Sequence, residues 1–292
     1  MDTAELLRKV RKIEIKTKGL SQQLFSGGYH SAFKGRGMSF SEVRGYQFGD
    51  DVRNIDWNVT ARTGEPHVKV FEEERELTVM LLVDVSPSVF FGSAQVAKNE
   101  LITELCAVVA FSAIANNDKV GLILFSDRIE KFIPPEKGRQ HILLLIRELI
   151  HFSPQGKKTE LGTAFRFLNN VLKKRCTTFV LSDFVQVGAD YDNSLRVTAR
   201  RHDLIGIQVS DLREKELPKV GLLRTFDAET SEEQWIDTQS AAVRAAFAEQ
   251  FLLQNKKFIT TFKQCGADTL QLDTDKPYIQ PLLQFFEQRK NK

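Results

Sequence analysis

The stretch Leu77-Thr78-Val79-Met80-Leu81-Leu82-Val83-Asp84-Val85-Ser86-Pro87-Ser88 is a continuous apolar run that ends abruptly at an acid and two hydroxyls. A short run of Val, Leu and Met without alternation reads as a strand buried on both faces. Such strands lie in the middle of a parallel sheet covered by helices. Pro87 stops the strand, because proline cannot donate to the ladder. Asp84, Ser86 and Ser88 are therefore expected at the carboxyl end of a central strand, where open α/β sheets place their ligand sites. Three hard oxygen donors at i, i+2 and i+4 there suit a Mg²⁺-type ion.

Composition narrows the class. The 292 residues are enough for one large domain or for one domain with an elaboration. Hydrophobic and charged contents of 42% and 27% are those of an ordinary soluble globular chain. A formal charge of +3 is too small to argue for nucleic acid or a membrane surface. The opening residues carry acids at once and lack a signal pattern, and no apolar run approaches the roughly 20 residues of a membrane helix. The three cysteines, Cys106, Cys176 and Cys265, fall inside apolar patterns without metal spacing. They read as reduced core thiols of a cytoplasmic protein.

Two regions are expected. Residues 1–76 combine an amphipathic, basic-faced helix over Leu6–Ile15 with a loop-rich segment in which glycines and aromatics crowd together and no helical period is present. There Arg44, Tyr46, Asp51, Arg53 and Trp57 are candidate partner-binding residues, since irregular loops often form recognition surfaces. Local ion pairs between the arginines and the acids of the segment are the competing, structural explanation. Residues 77–292 alternate strands and helices, with strands expected at Lys119–Phe125, Thr177–Leu181, Leu204–Val209 and Asp268–Leu272. A buried crossover helix is expected over Ala94–Asn116, an inserted hairpin near 220–238, and a long helix over Ser240–Gly266 with Val243, Phe247, Phe251, Phe258 and Phe262 inward. That order predicts an α/β fold with a doubly wound, mostly parallel sheet and right-handed crossovers.

A second strand end carries an acid: Cys176-Thr177-Thr178-Phe179-Val180-Leu181 runs into Ser182-Asp183, and Thr159 opens the helix before it. If the two strands are neighbours, Asp84, Ser86, Ser88, Thr159 and Asp183 converge on one point, a mixture of hydroxyls and carboxylates that suits Mg²⁺ or Mn²⁺. Taken singly, each has a simpler explanation as a turn residue, loop hydroxyl or N-cap. Their order on the elements favours the joint site.

Asp84-x-Ser86-x-Ser88, the Thr of Lys158-Thr159-Glu160-Leu161 and Ser182-Asp183 resemble the metal-ion-dependent adhesion site (MIDAS) of von Willebrand factor A domains. The resemblance implies that the hydroxyls touch the ion, that the acids act partly through water, and that a partner protein's carboxylate fills the open position. Upstream, Gly35-x-Gly37, Arg44-x-Tyr46-x-x-Gly49-Asp50-Asp51-x-Arg53-x-Ile55-Asp56-Trp57, Thr60-Ala61-Arg62 and Val70-Phe71-Glu72-Glu73-Glu74 are similar to the bacterial family called domain of unknown function 58. That resemblance covers nearly the whole chain. It implies a MoxR-type AAA+ ATPase as a partner. Val89-Phe90-Phe91 replaces the more usual Met after the second serine, at a position that offers no ligand.

Other chemistries fit less well. Phosphatases with an aspartyl nucleophile want a second carboxylate two residues on, where this chain has Ser86. No Gly-x-Ser-x-Gly elbow, P-loop or dinucleotide fingerprint is present, and the five histidines are scattered without zinc spacing. The basic clusters Lys173-Lys174-Arg175 and Arg200-Arg201 lie at helix C-termini, where cations favour the dipole. The expectation is a non-enzymatic, metal-dependent protein-binding module of adaptor or chaperone type, with no nucleic acid and no direct membrane insertion. A metal-dependent phosphate-ester hydrolase and a binding module with a vestigial metal site are the alternatives.

Overall fold

The structure is a computed structural model that describes residues 39–72, 77–93, 97–185, 191–226 and 233–290. The helix expected over Leu6–Ile15, the Gly35-x-Gly37 motif and Glu73-Glu74 lie outside the described residues. Residues 39–72 belong to one compact unit and residues 77–290 to another.

In the smaller unit β1 (Ser39–Gly45) pairs antiparallel with β2 (His67–Glu72). Between them lie a 3-10 turn, Val52–Asn54, and a seven-residue helix, α1 (Trp57–Thr63). The sequence reading missed this helix, because seven residues are too few to show a period. Its determinant is local: the Asp56 carboxylate accepts the Asn58 and Val59 amides at 3.0 and 3.2 Å, an N-cap.

The larger unit opens with β3 (Thr78–Asp84), whose residues are buried almost throughout. Val79, Leu81 and Val83 enter one hydrophobic cluster, Met80 and Leu82 the other, as the two-residue period of a strand requires. The chain continues through α2 (Lys98–Ala115), β4 (Lys119–Phe125), β5 (Ile129–Glu136), α3 (Arg139–His151), α4 (Leu161–Val171), β6 (Thr177–Ser182), α5 (Asp192–Arg201), β7 (Asp203–Ser210), the single turn α6 (Leu212–Lys215), the hairpin β8 (Leu222–Phe226) and β9 (Glu233–Asp237), α7 (Ala241–Gln264), β10 (Asp268–Asp273) and α8 (Ile279–Lys290). The fold is α/β.

The six-stranded sheet has the order β10-β7-β6-β3-β4-β5, parallel except for β5, which runs antiparallel beside β4. Helices α2, α3 and α8 cover one face; α4, α5 and α7 cover the other. Strand order reverses between β3 and β6, so the topological switch point lies there. At the opposite end of the sheet, Arg289 of α8 binds Asp203 and Asp268 at the starts of β7 and β10.

Two details differ from the sequence, which places a short edge piece at Arg128–Ile133 ahead of Pro134-Pro135 and the five apolar residues of the long helix inward. β5 runs through Pro134-Pro135 instead of stopping before them, which an edge strand tolerates because its outer side needs no donors. In α7 only Phe258 and Phe262 of the five expected inward residues are fully buried. Val243, Phe247 and Phe251 are half-buried in the part of the helix that precedes the sheet contact.

Candidate metal centre

β3 delivers Asp84 as its last residue, with its side chain excluded from solvent. One carboxylate oxygen, Oδ1, accepts the Ser86 amide at 2.9 Å, which folds the following loop back over the acid. Pro87 then begins a 3-10 turn, Pro87–Phe90, that carries Ser88. The hydroxyls of Ser86 and Ser88 lie 3.1 Å apart. The three predicted donors of the first loop are thus brought together. Val89 packs into the core, while Phe90 and Phe91 stand at the surface beside the loop.

β6 pairs with β3 from Val79↔Thr177 to Val83↔Leu181, so Ser182 comes level with Asp84. Ser182 Oγ donates to Asp84 Oδ2 at 2.6 Å and accepts the Phe184 amide at 3.0 Å. Asp183 is buried in the turn that follows. Its Oδ1 accepts the Val185 amide at 3.1 Å, and its main-chain carbonyl accepts Gln208 Nε2 at 3.1 Å. Phe184 holds a left-handed backbone with φ +53°, uncommon outside glycine. Its ring stacks on Phe258 at 4.1 Å and meets Phe262 edge-on at 5.3 Å.

Asp183 Oδ2 accepts Lys98 Nζ at 3.0 Å. Lys98 is the first residue of α2, fully buried, and its ammonium also binds Glu214 Oε1 and lies 5.9 Å from the Phe91 ring centroid. Glu214 belongs to α6, where it completes a capping box: its Oε2 accepts the Asp211 amide at 2.9 Å while Asp211 accepts the Arg213 amide at 2.9 Å. Asp211 also takes the Ser93 amide and hydroxyl and the Thr274 hydroxyl. Three strand ends, those of β3, β6 and β7, are therefore linked through one buried polar network.

Thr159 is buried at the same end of the sheet. The loop before it is fixed by Glu130, whose Oε1 accepts the Gln155 and Gly156 amides at 3.1 and 2.7 Å and the Ser126 hydroxyl at 2.7 Å. The Glu160 amide donates to the Ser126 carbonyl just beyond β4 at 2.9 Å. Gly156 is required by this approach, since a Cβ there would lie 2.0 Å from Ser126 Oγ.

Electrostatically the centre holds more acid than base. Burial, reinforced by the like charge of Asp183, pushes the Asp84 carboxyl up to about 7 against the hydrogen bonds from Ser182 and Ser86. Burial also raises Glu214, with Asp183 adding to it and Lys98 opposing. Lys98 is disfavoured as a cation by burial, yet Asp183 and Glu214 outweigh that and hold it above its ordinary value. Among the described residues no group of three His, Cys, Asp or Glu side chains is arranged to hold a metal. The donor set is instead two carboxylates with hydroxyls, which fits a hard divalent ion such as Mg²⁺ and would suit zinc or copper poorly.

Lys98 and Glu214 carry signals that the sequence reading did not use. Lys98 is in phase with Leu101, Leu105 and Val108 on the buried stripe of α2. Asp211-x-x-Glu214 after an apolar strand is a capping-box pattern.

In the smaller unit Arg44 forks onto Asp50 with both contacts at 2.8 Å. Arg53 pairs with Asp51, which caps the 3-10 turn. These charges hold the segment together locally. Tyr46, Phe48, Val52 and Trp57 are exposed, Trp57 at 70%. His141 is buried and bonded to the Val120 carbonyl at 2.8 Å, and His202 is buried against Cys176; neither takes part in the centre.

A relative, Rv1480 of Mycobacterium tuberculosis, described as uncharacterized, is 31% identical over 294 residues, covering 99% of this chain and 92% of that protein. Among solved structures, an aerotolerance-related membrane protein from Bacteroides fragilis shares the fold with a TM-score of 0.50 at 14% identity, over 74% of this chain and 98% of that one. The von Willebrand A domain of SpRpn10 overlaps with a TM-score of 0.39 at 9% identity, over 72% of this chain and 94% of that one. No helix among the described residues is long and apolar enough to cross a membrane. The family model for "Protein of unknown function DUF58" matches residues 42–257, and the chain belongs to that family.

Proposed function

We propose that this chain is a non-enzymatic binding module that engages a partner's carboxylate through a divalent cation held at the β3–β6 switch point. Asp84, Ser86, Ser88 and Thr159 would hold Mg²⁺ or Mn²⁺, with Asp183 acting mainly through water. When bound, the ion supplies an open coordination position for an acidic side chain of the partner. The observation that carries this reading is the meeting of the two motif-bearing loops, with Ser182 donating to Asp84 across the strand ends. Phe90 and Phe91, exposed beside the loop, offer apolar surface to the residues flanking that acid. No histidine is hydrogen-bonded to the Ser86, Ser88 or Ser182 hydroxyls among the described residues, so the Ser–His arrangement of hydrolases is not found there.

The family resemblance makes a MoxR-type AAA+ ATPase the first partner to try, in the cytoplasm, with the module presenting a client to the ATPase or the ATPase remodelling the module. The exposed Tyr46 and Trp57 of the smaller unit, flanked by the Arg44–Asp50 and Arg53–Asp51 pairs, are a second candidate contact in that assembly. A second reading is favoured by Lys98: its ammonium already neutralises Asp183, as a module with a vestigial metal site would require.

The test is titration of Mg²⁺ and Mn²⁺ into metal-free protein, wild type beside Asp84→Ala, by calorimetry and melting temperature. Saturable binding that raises the wild-type midpoint and vanishes in the variant is expected. Binding that survives Asp84→Ala would show that the ion sits elsewhere.

A further inference from the structure

We propose that Lys98 is a built-in competitor for the cation, setting the affinity of the Asp84 centre. The inference rests on reading Asp84, Ser86 and Ser88 as cation ligands. Lys98 Nζ lies 3.0 Å from Asp183 Oδ2 and also binds Glu214, with no solvent exposure at all. One positive charge thus already satisfies the acid that would neutralise an ion at the end of β6.

Fold stability alone is a poor account of this lysine. Taking an ammonium and its partners out of water costs more than a good ion pair returns in many proteins, and apolar replacements are often tolerated. Lys98 also occupies the first position of an 18-residue helix, where the dipole disfavours a cation. Among the described residues these two unfavourable placements are offset by two carboxylates drawn from different strands, β6 and, through α6, β7, with the Phe91 ring 5.9 Å from the ammonium. The ammonium is thereby held on Asp183, one of the candidate ligands, so its charge opposes any ion that would draw on that acid. Removing the ammonium frees Asp183 and leaves the centre more anionic. Removing Glu214 does the reverse.

The experiment is Mn²⁺ binding to the 292-residue chain by calorimetry and by Mn²⁺ paramagnetic resonance. The proteins are wild type, Lys98→Met, Glu214→Gln, and Lys98→Met with Asp84→Ala. Lys98→Met is expected to bind Mn²⁺ at least about tenfold more tightly than wild type, Glu214→Gln more weakly, and the Lys98→Met/Asp84→Ala chain not at all. If Lys98→Met fails to fold cooperatively, Lys98→Met/Glu214→Gln is compared with Glu214→Gln, and the same tightening is expected. Asp84-dependent binding in wild type that Lys98→Met leaves equal or weaker would overturn the role of Lys98 while the centre stands. Absence of Asp84-dependent binding in both wild type and Lys98→Met would overturn the centre itself.

Discussion

Ser182 Oγ lies 2.6 Å from Asp84 Oδ2, joining the ends of two neighbouring parallel strands whose loops run in opposite directions around the sheet. The same oxygen accepts the Phe184 amide. One hydroxyl therefore fixes both the acid that ends β3 and the turn that follows β6.

Ser182→Ala removes a donor from a fully buried carboxylate and an acceptor from a buried amide. A bond to a charged group left unmade in the interior costs about 2 kcal/mol. Urea denaturation should show a loss of that order with an unchanged slope. A change within about 0.5 kcal/mol, the range of an indifferent surface substitution, would mean that the bond carries no weight.

Phe184 sits one residue beyond Asp183 at φ +53°. A non-glycine residue there stores strain that its surroundings must over-determine. Here the surroundings are Phe258 and Phe262 of α7, packed on the ring. Phe184→Ala should cost about 3–5 kcal/mol through lost burial and a cavity. It should also weaken Mn²⁺ binding, because the turn that orients Asp183 loses its anchor. A variant that is destabilised but binds Mn²⁺ as wild type would remove any orienting role for the ring.

The sheet and the first loop were legible because each rests on a short-range signal. The run ending at Asp84 is apolar on both faces, and Pro87 terminates it. Thr159 and Asp183 were expected from the motif, but the pairing of β6 with β3 entered only as a condition, because crossover handedness fixes the face on which a helix packs and not the order of the strands. The Lys98–Asp183–Glu214 network was not legible, since residues 98, 183 and 214 meet only after three strands are ordered. Helix α1 escaped for a different reason: its cap, Asp56, stood among so many acids and arginines that no single one marked an N-terminus. The half-buried face of α7 shows the limit of periodicity, which finds an apolar stripe but not how far the sheet extends beneath it.

Gly156 lies where the loop carrying Thr159 crosses the end of β4. An added Cβ would come 2.0 Å from Ser126 Oγ and 2.3 Å from Asp127 Oδ1, with Ser126 Cβ at 2.8 Å. Ser126 is buried and bonded to Glu130, so it cannot swing aside without breaking the bond that holds the loop. Gly156→Ala is expected to destabilise by about 1–3 kcal/mol, as overpacking does, and to weaken Mn²⁺ binding by displacing Thr159. An alanine variant equal to wild type in both measurements would show that the loop moves freely and does not position the threonine.

His202 gives the chain a pH dependence at the start of β7, away from the Asp84 strand end. Its Nδ1 accepts the Cys176 amide at 3.3 Å and lies 3.2 Å from the Cys176 sulfur, while Nε2 is buried without a hydrogen-bond partner among the described residues. The ring is thus held neutral. Burial, with Arg201 and Arg175 adding positive charge nearby, lowers its pKa to about 4, whereas an unfolded chain titrates near the ordinary value of 6.5. Between those values the unfolded state binds the extra proton, so the contribution is complete above pH 6.5 and is lost as pH falls toward 4. The slope from this one group is about 1.4 kcal/mol per unit of pH. His202→Gln, whose side-chain carbonyl can still accept the Cys176 amide, should flatten the stability curve by that amount between pH 4 and 6.5 and leave it parallel to wild type above. Curves that stay parallel across the whole range would mean that His202 protonates in the folded protein as easily as in the unfolded one.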